Sequence, residues 1–314
     1  KAYLIASYVE RDFFICYDLY IEGSVDMELR VLKYFLMVAR EENITKAANL
    51  LHVTQPTLSR QLMQLEEELG VKLFNRSKHS IILTEDGMLL KRRAQEIVTL
   101  ANKTEQEFSH KEGNLTGEIA IGCAETKNMS FISEQMVYFR KDNPLIQYSI
   151  YSGIADDIKD RIEKGILDIG LLTEPVDIGK YEFIRMPKKE QWGILVRKDS
   201  ILASKKCIYP KDLVDIPLIM AKREMVKNEL ASWFGDYYDS LDIAATYNLI
   251  LNATIMVENK VGAALCFNFE NVYDNLCFIP LYPKLETGTV LVWKKNQTFS
   301  KATDQFIKRI RNAL

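Results

Sequence analysis

Residues 54–60 have the side-chain types that bond DNA. The stretch VTQPTLSRQLMQLEEELG (residues 53–70) has helical periodicity, because its leucines fall on one side of a helix. The opposite side, over the first two turns, presents neutral side chains and a single arginine, namely Thr54, Gln55, Pro56, Thr57, Ser59 and Arg60. Side chains of these types bond base edges and phosphates when the amino-terminal end of a helix enters the major groove. An ordinary amphipathic helix in a helical hairpin is the alternative interpretation.

A DNA-reading helix needs neighbours that hold it, and the preceding residues predict two helices. Apolar residues recur at helical spacing between Leu29 and Ala39 and predict the first of them. A second, short helix is expected to run through Leu51, and Thr45 has the side-chain type that caps such a helix at its start. The second helix and the one that follows would then form a helix-turn-helix.

The helix within residues 53–70 has end signals, and a hairpin is expected after it. Thr54 can cap it, Pro56 lies in the first turn where a missing N–H costs nothing, and Gly70 is a suitable terminator. Its acidic run, residues 66–68, lies at the carboxyl end, away from the predicted DNA contacts. The segment LFNRSKHSIILT (residues 73–84) contains two short strand-like runs around a polar turn, which predicts a β-hairpin. Together these elements predict a winged helix-turn-helix domain at residues 27–84.

A long helix is predicted from Thr84 to about Glu112, because acidic residues at its start suit the positive end of a helix. Small and apolar residues recur along it at alternate spacings of four and three: Leu83, Gly87, Leu90, Ala94, Ile97, Ala101, Thr104 and Phe108. That spacing is typical of a dimerisation seam. The predicted dimer contacts are Leu90, Ile97, Ala101 and Phe108. The alternative is a helix that packs only on its own domain. Residues 113–117 are expected to be a linker.

The pattern changes after Gly117, where strand-like runs alternate with helical segments. Such runs begin at residues 118, 146, 168, 192, 216, 243, 261 and 289. Strands that alternate with helices predict βαβ units and a mostly parallel sheet. A closing strand and a helix at residues 301–314 are expected to complete this second domain, residues 118–314. The predicted fold class is therefore α/β, preceded by a mostly α-helical domain.

One long run of the sequence resembles the amino-terminal domain of LysR-type transcriptional regulators. The run ITKAANLLHVTQPTLSRQLMQLEEELGVKLFNR, continued by ILTEDG, agrees with that family without a gap. The matching positions are Ala47-Ala48, Gln55-Pro56, Ser59-Arg60-Gln61, Leu65-Glu66, Leu69-Gly70, Leu73-Phe74, Arg76 and Leu83-Thr84. The remaining chain matches the family's effector-binding domain in the order of its elements. The resemblance therefore implies two Rossmann-like α/β subdomains hinged around a small-molecule cleft, the second at about residues 191–270.

The resemblance also implies roles and partners. The helix at residues 54–60 would meet the major groove of double-stranded DNA, and Arg76 and Lys78 would hold phosphate or reach the minor groove. Thr45 is included among the predicted DNA contacts. The long helix would pair two subunits, the effector domains would join dimers into a tetramer, and RNA polymerase would be a further partner. Residues 27–112 hold 13 Lys and Arg against 12 Asp and Glu. Several subunits would therefore have to contribute contacts to reach high affinity.

The cleft residues are predicted from the polar ends of the strands. Thr126 occupies the place where the family has a Thr or Ser, at the start of a helix that could hold an anion. The predicted effector contacts are Thr126, Lys127, Ser152, Lys222, Arg223, Phe267 and Asn268, and each could instead have an ordinary strand-end role. Ala155 stands where many relatives have a hydroxyl, and Glu125 opposes a simple anion unless Lys127 or Arg223 neutralises it. These departures weaken the transfer of a carboxylate-binding pocket, and the sequence does not identify the effector.

Composition sets limits on other functions. The formal net charge of −2 gives no general basicity. The five cysteines are scattered without a CxxC pair, and three dispersed histidines offer little for a metal site. We therefore expect a cytoplasmic protein without a cofactor. Residues 1–26 have charged interruptions that suit neither a membrane span nor a signal peptide, and are expected to be an upstream extension or an expression-vector remnant before Met27.

Two other classes of function are considered. One is an enzyme on the same α/β fold with Cys123 or Cys266 as its nucleophile, although no His or acid is placed in the sequence to activate either thiol. The other is a regulator that binds DNA and oligomerises without responding to any small molecule. The sequence favours a DNA-binding regulator that responds to an effector and is not an enzyme.

Overall fold

The computed structural model describes residues 27–76, 81–108, 115–269 and 274–314. The predicted extension at residues 1–26 and the wing residue Lys78 lie outside the described residues, as do the side chains of Arg76 and Phe108. The chain divides into two compact units between Asn102 and Lys103. None of the helices in the described parts is both long and apolar enough to cross a membrane.

The amino-terminal unit contains three short helices, a hairpin and the first part of a long helix. In chain order the elements are α1 (Leu29–Glu41), α2 (Ile44–Leu50), α3 (Gln55–Leu69), β1 (Phe74–Arg76), β2 (Ile81–Leu83) and α4 (Glu85–Phe108). Strands β1 and β2 pair antiparallel. The predicted winged helix-turn-helix is confirmed, because helix, turn, helix and hairpin follow in the expected order.

The ends of these helices follow their local sequence, with one correction. Thr54 caps α3, since its hydroxyl accepts a hydrogen bond from the backbone N–H of Thr57, and Gly70 ends the helix at a φ of 67°. Thr84 similarly accepts from the N–H of Gly87 at 3.0 Å. The prediction that Thr45 caps α2 was wrong. Asn43 does so, because its side-chain oxygen accepts from the N–H of Lys46 at 2.9 Å.

The core of the amino-terminal unit contains one carboxylate. On the leucine side of α3, Leu58, Leu62 and Leu65 are buried as predicted and Leu69 is partly buried, but Glu66 is buried with them. Its Oε1 accepts from the N–H groups of Leu73 and Phe74 at 2.8 and 3.2 Å. Lys72 lies 3.4 Å from Oε2. Both backbone donors lie at the start of the hairpin, so Glu66 holds β1 against α3. Its side chain is therefore not part of a solvent-exposed acidic run.

The spaced residues of α4 do not form a single seam. Leu90 and Ala94 are buried in the core of their own unit, which is the packing that the alternative interpretation described. Later on the helix, Ile97 is 42% exposed and Leu100 is 44% exposed. Leu89, near the start of the helix, is also exposed. Leu90 is therefore unavailable as a dimer contact, and the exposed apolar face of α4 contains Leu89, Ile97 and Leu100.

The carboxyl-terminal unit contains two mixed sheets with helices between their strands. Its first half comprises β3 (Gly117–Cys123), α5 (Met129–Asp142), β4 (Ile146–Ser152), α6 (Ala155–Glu163), β5 (Ile169–Thr173), β6 (Tyr181–Arg185) and β7 (Glu190–Arg197). The second half comprises β8 (Leu218–Ala221), α7 (Glu224–Phe234), β9 (Ile243–Tyr247), α8 (Ile250–Glu258), β10 (Ala263–Phe267), β11 (Leu276–Pro280), β12 (Glu286–Thr287), β13 (Thr289–Lys294) and α9 (Lys301–Asn312). Short 3₁₀ turns lie at Ile201–Ser204, Pro210–Leu213 and Gly235–Ser240.

Each sheet is the centre of one subdomain. The first sheet has the order β4-β3-β5-β13-β6, and the second has the order β11-β7-β10-β8-β9 with β12 beside β7. In the first sheet β13 runs antiparallel to its neighbours, and in the second sheet β7 does. The remaining pairs described in the two orders are parallel. The α/β fold class with two subdomains is confirmed, although β6, β11 and β12 were not predicted.

The chain crosses between the two sheets twice. The first crossing is at residues 186–189, between β6 and β7, and the second is at Gly288, between β12 and β13. The second sheet includes β11 and β12, so it extends beyond the end at residue 270 that the sequence indicated for that subdomain. Both crossings lie side by side, because Thr287 pairs with Glu190. They form the hinge that positions the cleft.

Candidate DNA-binding surface and ligand cleft

The amino-terminal end of α3 presents a polar, exposed surface. Thr54, Gln55 and Thr57 are exposed, and Ser59 is half-buried. Their side chains are held by one another, since the hydroxyls of Thr54 and Thr57 lie 2.8 Å apart. The amide of Gln55 donates to the hydroxyl of Ser59 at 3.1 Å. These bonds order the side chains before any ligand arrives, which lowers the entropy cost of binding.

Arg60 lies on the same exposed surface, together with Pro56. Within the described parts of the chain, no carboxylate pairs with Arg60, so its guanidinium is available for an anion or a base edge. Thr45 is exposed on α2, the other helix of the helix-turn-helix. The described residues that were predicted to bind DNA are therefore exposed or half-buried, and all of them belong to the amino-terminal unit. The side chains of Arg76 and Lys78 in the wing lie outside the described residues.

In the carboxyl-terminal unit, Thr126 is buried in the hinge and does not line the cleft. Its hydroxyl donates to Oε1 of Glu190, with 2.5 Å between the oxygens. The backbone N–H of Lys127 donates to the same oxygen at 2.8 Å. The position near the start of α5 where an effector anion was expected is therefore filled by a carboxylate of the chain itself.

Other buried polar side chains surround Glu190 and complete a hinge cluster, which we define as Thr126, Asn128, Glu190, Thr287 and Thr289. Asn128 donates to the carbonyl of Lys188 at 2.8 Å and accepts from its N–H at 3.1 Å. The hydroxyls of Thr126 and Thr289 lie 3.3 Å apart. Since these bonds join the first subdomain to both crossings, the cluster holds the hinge in place.

A cleft lined by residues of both sheets lies between the two subdomains, and clefts of this kind are where small molecules bind in proteins. Its walls come from the ends of strands and the starts of helices in both sheets. They are formed by Ala124, Glu125, Gly153, Ile154, Ala155, Thr173, Trp192, Ala221, Arg223, Val226, Tyr247, Asn248, Leu249, Ile250, Phe267 and Phe269. The lining is mainly apolar, with one acidic and one basic side chain.

The basic side chain is Arg223, which is only 6% exposed although it lines the cleft. Its Nε lies 3.4 Å from Oδ2 of Asp156, and one terminal nitrogen lies 3.4 Å from the carbonyl of Thr173. These distances are longer than a typical N–H···O bond. Asp156 is 60% exposed, so it neutralises Arg223 weakly. The guanidinium is therefore a buried cation with donor capacity left for an anion.

The acidic side chain is Glu125, whose Oε2 accepts a hydrogen bond from the backbone N–H of Ile250 at 2.6 Å. Burial raises the pKa of Glu125 above its ordinary value, and this hydrogen bond opposes the rise only in part. No Lys or Arg of the described chain is recorded within ion-pair distance of Glu125. The carboxylate thus reaches from the first subdomain to the start of α8 in the second.

Aromatic rings form the floor beside these charges. Trp192 and Phe267 are opposite each other on β7 and β10, with ring centroids 4.5 Å apart in an edge-to-face arrangement. Phe269 lies 6.3 Å from Phe267. Trp192 donates its indole N–H to the hydroxyl of Thr287 at 2.8 Å. The floor is therefore anchored directly to the hinge cluster.

The structure brings two of the seven predicted effector contacts to the cleft, Arg223 and Phe267. The other five are not in its lining: Thr126, Lys127, Ser152, Lys222 and Asn268. Ser152, Lys222 and Asn268 are each next in sequence to a lining residue. The strand ends therefore predicted the position of the cleft. Side chains of neighbouring residues in extended chain point in opposite directions, so these three do not line it. Trp192 was missed because it lies inside a strand. Its only signal was a large aromatic residue near the start of that strand.

The two cysteines considered as nucleophiles are buried. Burial raises the pKa of the Cys123 thiol to about 12, and that of Cys266 likewise to about 12. A thiol must ionise to act as a nucleophile. Their environment therefore opposes nucleophilic chemistry near neutral pH. Within the described residues, no group of three His, Cys, Asp or Glu side chains is arranged to hold a metal ion.

Two family models match the chain. Residues 29–88 match the bacterial regulatory helix-turn-helix protein, lysR family. Residues 112–314, more than half of the chain, match the LysR substrate binding domain. The first match covers α1 to the start of α4, and the second covers both sheets of the carboxyl-terminal unit. The two matches thus account for the polar surface of α3 and for the cleft.

Similar curated proteins are transcriptional regulators by name. The chain is 28% identical over 209 residues to the regulator IlvY of Escherichia coli (strain K12), covering 66% of this chain and 70% of that protein. It is 26% identical over 302 residues to the Hca operon transcriptional activator HcaR of the same strain, covering 92% and 98%. With the regulator YvbU of Bacillus subtilis (strain 168) the identity is 29%, and the chain spans 66% of that relative's length.

Solved structures share the fold. Full-length CbnR in complex with its target DNA has a TM-score of 0.71 at 20% identity, with 92% of this chain and 100% of that chain covered. HinK, a LysR family regulator from Pseudomonas aeruginosa, has a TM-score of 0.53 at 24% identity, with 92% and 99% covered. At these identities the likeness concerns the fold alone.

Proposed function

Because the chain belongs to the LysR family of transcriptional regulators, with a DNA-binding domain followed by a substrate-binding domain, we propose that α3 reads operator DNA in the major groove. The observation that carries this assignment is the exposed polar surface of α3, where Arg60 has no described partner. Thr54, Gln55, Pro56, Thr57 and Ser59 would contact base edges or phosphates beside it. Thr45, Arg76 and Lys78 would add contacts from α2 and the wing.

The experiment that tests this function begins with unselected DNA. Genomic fragments retained by the purified full chain are sequenced, and the enriched site is confirmed by gel shift. A specific regulator enriches one short, nearly palindromic sequence, and its neighbouring genes indicate the regulated pathway. If the amount of DNA retained depended on fragment length and not on sequence, the binding would be nonspecific and electrostatic, which would contradict the proposal.

Self-association is part of the same proposal. The exposed face of α4, formed by Leu89, Ile97 and Leu100, would be covered by the same helix of a second subunit. Ala101 and Phe108 continue the predicted seam. Two paired subunits would place their α3 helices on the half-sites of a near-palindrome. The substrate-binding domains would join dimers into a tetramer. Contact with RNA polymerase is proposed because HcaR is named an activator.

The substrate-binding domain would hold a small-molecule effector in its cleft. Arg223 and Phe267 support this assignment, because a buried cation beside an aromatic floor recognises a polar group on an apolar body. The effector would bind one tetramer shape more tightly than the other and so change the spacing of the DNA-binding domains. The protein would act in the cytoplasm and would not be an enzyme. Burial raises the pKa of Cys123 and Cys266, which opposes the use of these two thiols as nucleophiles.

Footprints on the operator test the effector response. DNase protection is compared with and without a molecule that raises the melting temperature of the protein, since a ligand of the native state stabilises it. We expect a change in the length or spacing of protection. Identical footprints under both conditions would favour a regulator that works without an effector.

A further inference from the structure

The cleft contains two charges of opposite sign that do not pair with each other. Arg223 contacts Asp156 and the carbonyl of Thr173, and Glu125 contacts the N–H of Ile250. The ion pair found for Arg223 in the described chain is with Asp156, and none joins it to Glu125. The two charged groups are therefore separate features of the lining.

Arg223 stands at a second feature that favours anions. Helix α6 begins at Ala155, and no side chain caps it, because Ile154 occupies the capping position. Gly153, Ile154 and Ala155 all line the cleft, so this helix start faces the same space as Arg223. Free N–H groups at a helix start attract negative charge. Asp156 and Asp157 in the first turn meet part of this attraction, but neither side chain lines the cleft. A buried guanidinium with long contacts points to the same kind of ligand group, a carboxylate.

Glu125 has the properties of a site for a cation. It is partly buried and lines the cleft, and its one recorded hydrogen bond engages Oε2. Burial disfavours its charged form, which an ammonium group in contact would restore. Trp192, Phe267 and Phe269 line the same cleft, and aromatic faces add to the attraction of a cation. The lining therefore offers an acidic group and aromatic rings together.

We propose that the cleft binds an ω-amino carboxylic acid, a molecule with its ammonium and carboxylate groups at opposite ends of an apolar body. The carboxylate would contact Arg223 at the start of α6, and the ammonium would contact Glu125. This inference rests on the proposed function, because it names the chemical class of the effector in the same cleft. Glu125 belongs to the first subdomain and Arg223 to the second, so one molecule held by both ties the two subdomains together.

Four probes that share a benzene ring separate the contributions of the two ligand charges. They are 4-(aminomethyl)benzoate, 4-methylbenzoate, 4-methylbenzylamine and phenylalanine, whose charges are adjacent. Titration calorimetry on the full chain should give the highest affinity for 4-(aminomethyl)benzoate. Each probe that lacks one charge should bind about 10- to 150-fold more weakly, because a charged hydrogen bond is lost. An aliphatic member of the class, 6-aminohexanoate, is titrated in parallel.

Variants assign each ligand charge to a residue. Glu125→Gln should abolish the preference for 4-(aminomethyl)benzoate over 4-methylbenzoate and keep its preference over 4-methylbenzylamine. Arg223→Met should abolish the preference over 4-methylbenzylamine and keep the preference over 4-methylbenzoate. Arg223→Lys should retain part of the preference over 4-methylbenzylamine, because the positive charge remains. Lys222→Met is the matched control, since the exposed neighbour of Arg223 does not line the cleft. Thermal melting shows whether each variant is folded.

Several results would overturn the proposal. If a probe with one charge bound as tightly as 4-(aminomethyl)benzoate, the residue assigned to the missing charge would not be part of the site. Tighter binding of phenylalanine would contradict the separation of the two groups. No binding of either ω-amino acid at millimolar concentration would refute the class. Specific operator binding is measured on the same preparations, so a regulator that binds its operator but none of these probes fails only this inference.

Discussion

Thr126 donates its hydroxyl hydrogen bond to Glu190, with 2.5 Å between the two oxygens. The two residues come from different subdomains and meet in the buried hinge cluster. The Thr hydroxyl that the family resemblance placed against an effector is thus bonded to a carboxylate of the same chain. Its expected role changes from ligand contact to support of the hinge.

Substitution of Thr126 by Val should therefore lower stability and leave probe binding in the cleft unchanged. The variant keeps the side-chain shape but removes one of two donors to Oε1 of buried Glu190 and the acceptor of the backbone N–H of buried Asn128. A buried donor without a partner costs about 1–3 kcal/mol. The measurement is urea unfolding of the full chain, followed at the carboxyl-terminal unit. Thr126→Ser is the control and should recover most of the loss, because it keeps the hydroxyl. Loss of probe binding in folded Thr126→Val would return Thr126 to the ligand site.

Substitution of Glu125 by Gln should raise stability at neutral pH. The folded pKa of Glu125 lies above its ordinary value of 4.5 because burial disfavours the carboxylate. Burial therefore costs stability above the folded pKa, where the group is charged, and the cost disappears as the pH falls below 4.5. Unfolding free energies from pH 4 to pH 8 should converge for variant and parent at the acidic end. Exposed Glu182→Gln is the control. A stability gap that is independent of pH would contradict the burial argument.

Substitution of Arg60 by Ala should weaken operator binding without unfolding the protein, because Arg60 is exposed on α3. A lost base or phosphate contact costs about 1–3 kcal/mol, or roughly 5- to 150-fold in affinity. Gel shifts at several salt concentrations separate the two cases, since only a phosphate contact reduces the salt dependence. Arg30→Ala, an exposed arginine on α1, is the matched control. Unchanged affinity in folded Arg60→Ala would remove this residue from the interface.

Gln55→Ala on the same surface is expected to change the preference among operator variants more than the affinity for random DNA. A panel of single-base operator variants measures this preference. An equal loss of affinity on every sequence would instead identify Gln55 as a backbone contact.

Substitution of Ile97 by Asp should convert dimers to monomers with poor operator affinity, because it places a charge in the proposed apolar interface. Sedimentation measures the oligomeric state. Thr99→Asp, on another face of α4, should leave the dimer intact. Leu90→Asp should instead unfold the amino-terminal unit, since Leu90 is in its core. An intact dimer of Ile97→Asp would place the interface elsewhere.

Local sequence determined the DNA-binding domain to a large extent. The cap at Thr54, the buried leucine side of α3 and the stop at Gly70 depend on residues within a few turns of one another, so periodicity and end signals predicted them. Glu66 was the exception in α3. Its helical position is next to the leucine side, but the backbone donors of Leu73 and Phe74 that permit its burial were not visible in the sequence.

The sequence alone determined the order of most elements, the two-domain organisation and the exposed polar surface of α3, because these depend on local periodicity, but it did not indicate β6, β11 or β12. Only the tertiary structure decided which charges meet. Thr126 finds Glu190 and Arg223 finds Asp156 more than sixty residues away. The sequence could place polar residues at strand ends but not tell which of them face the cleft. That choice depends on how the two sheets pack across the hinge, where most buried polar groups must find a partner.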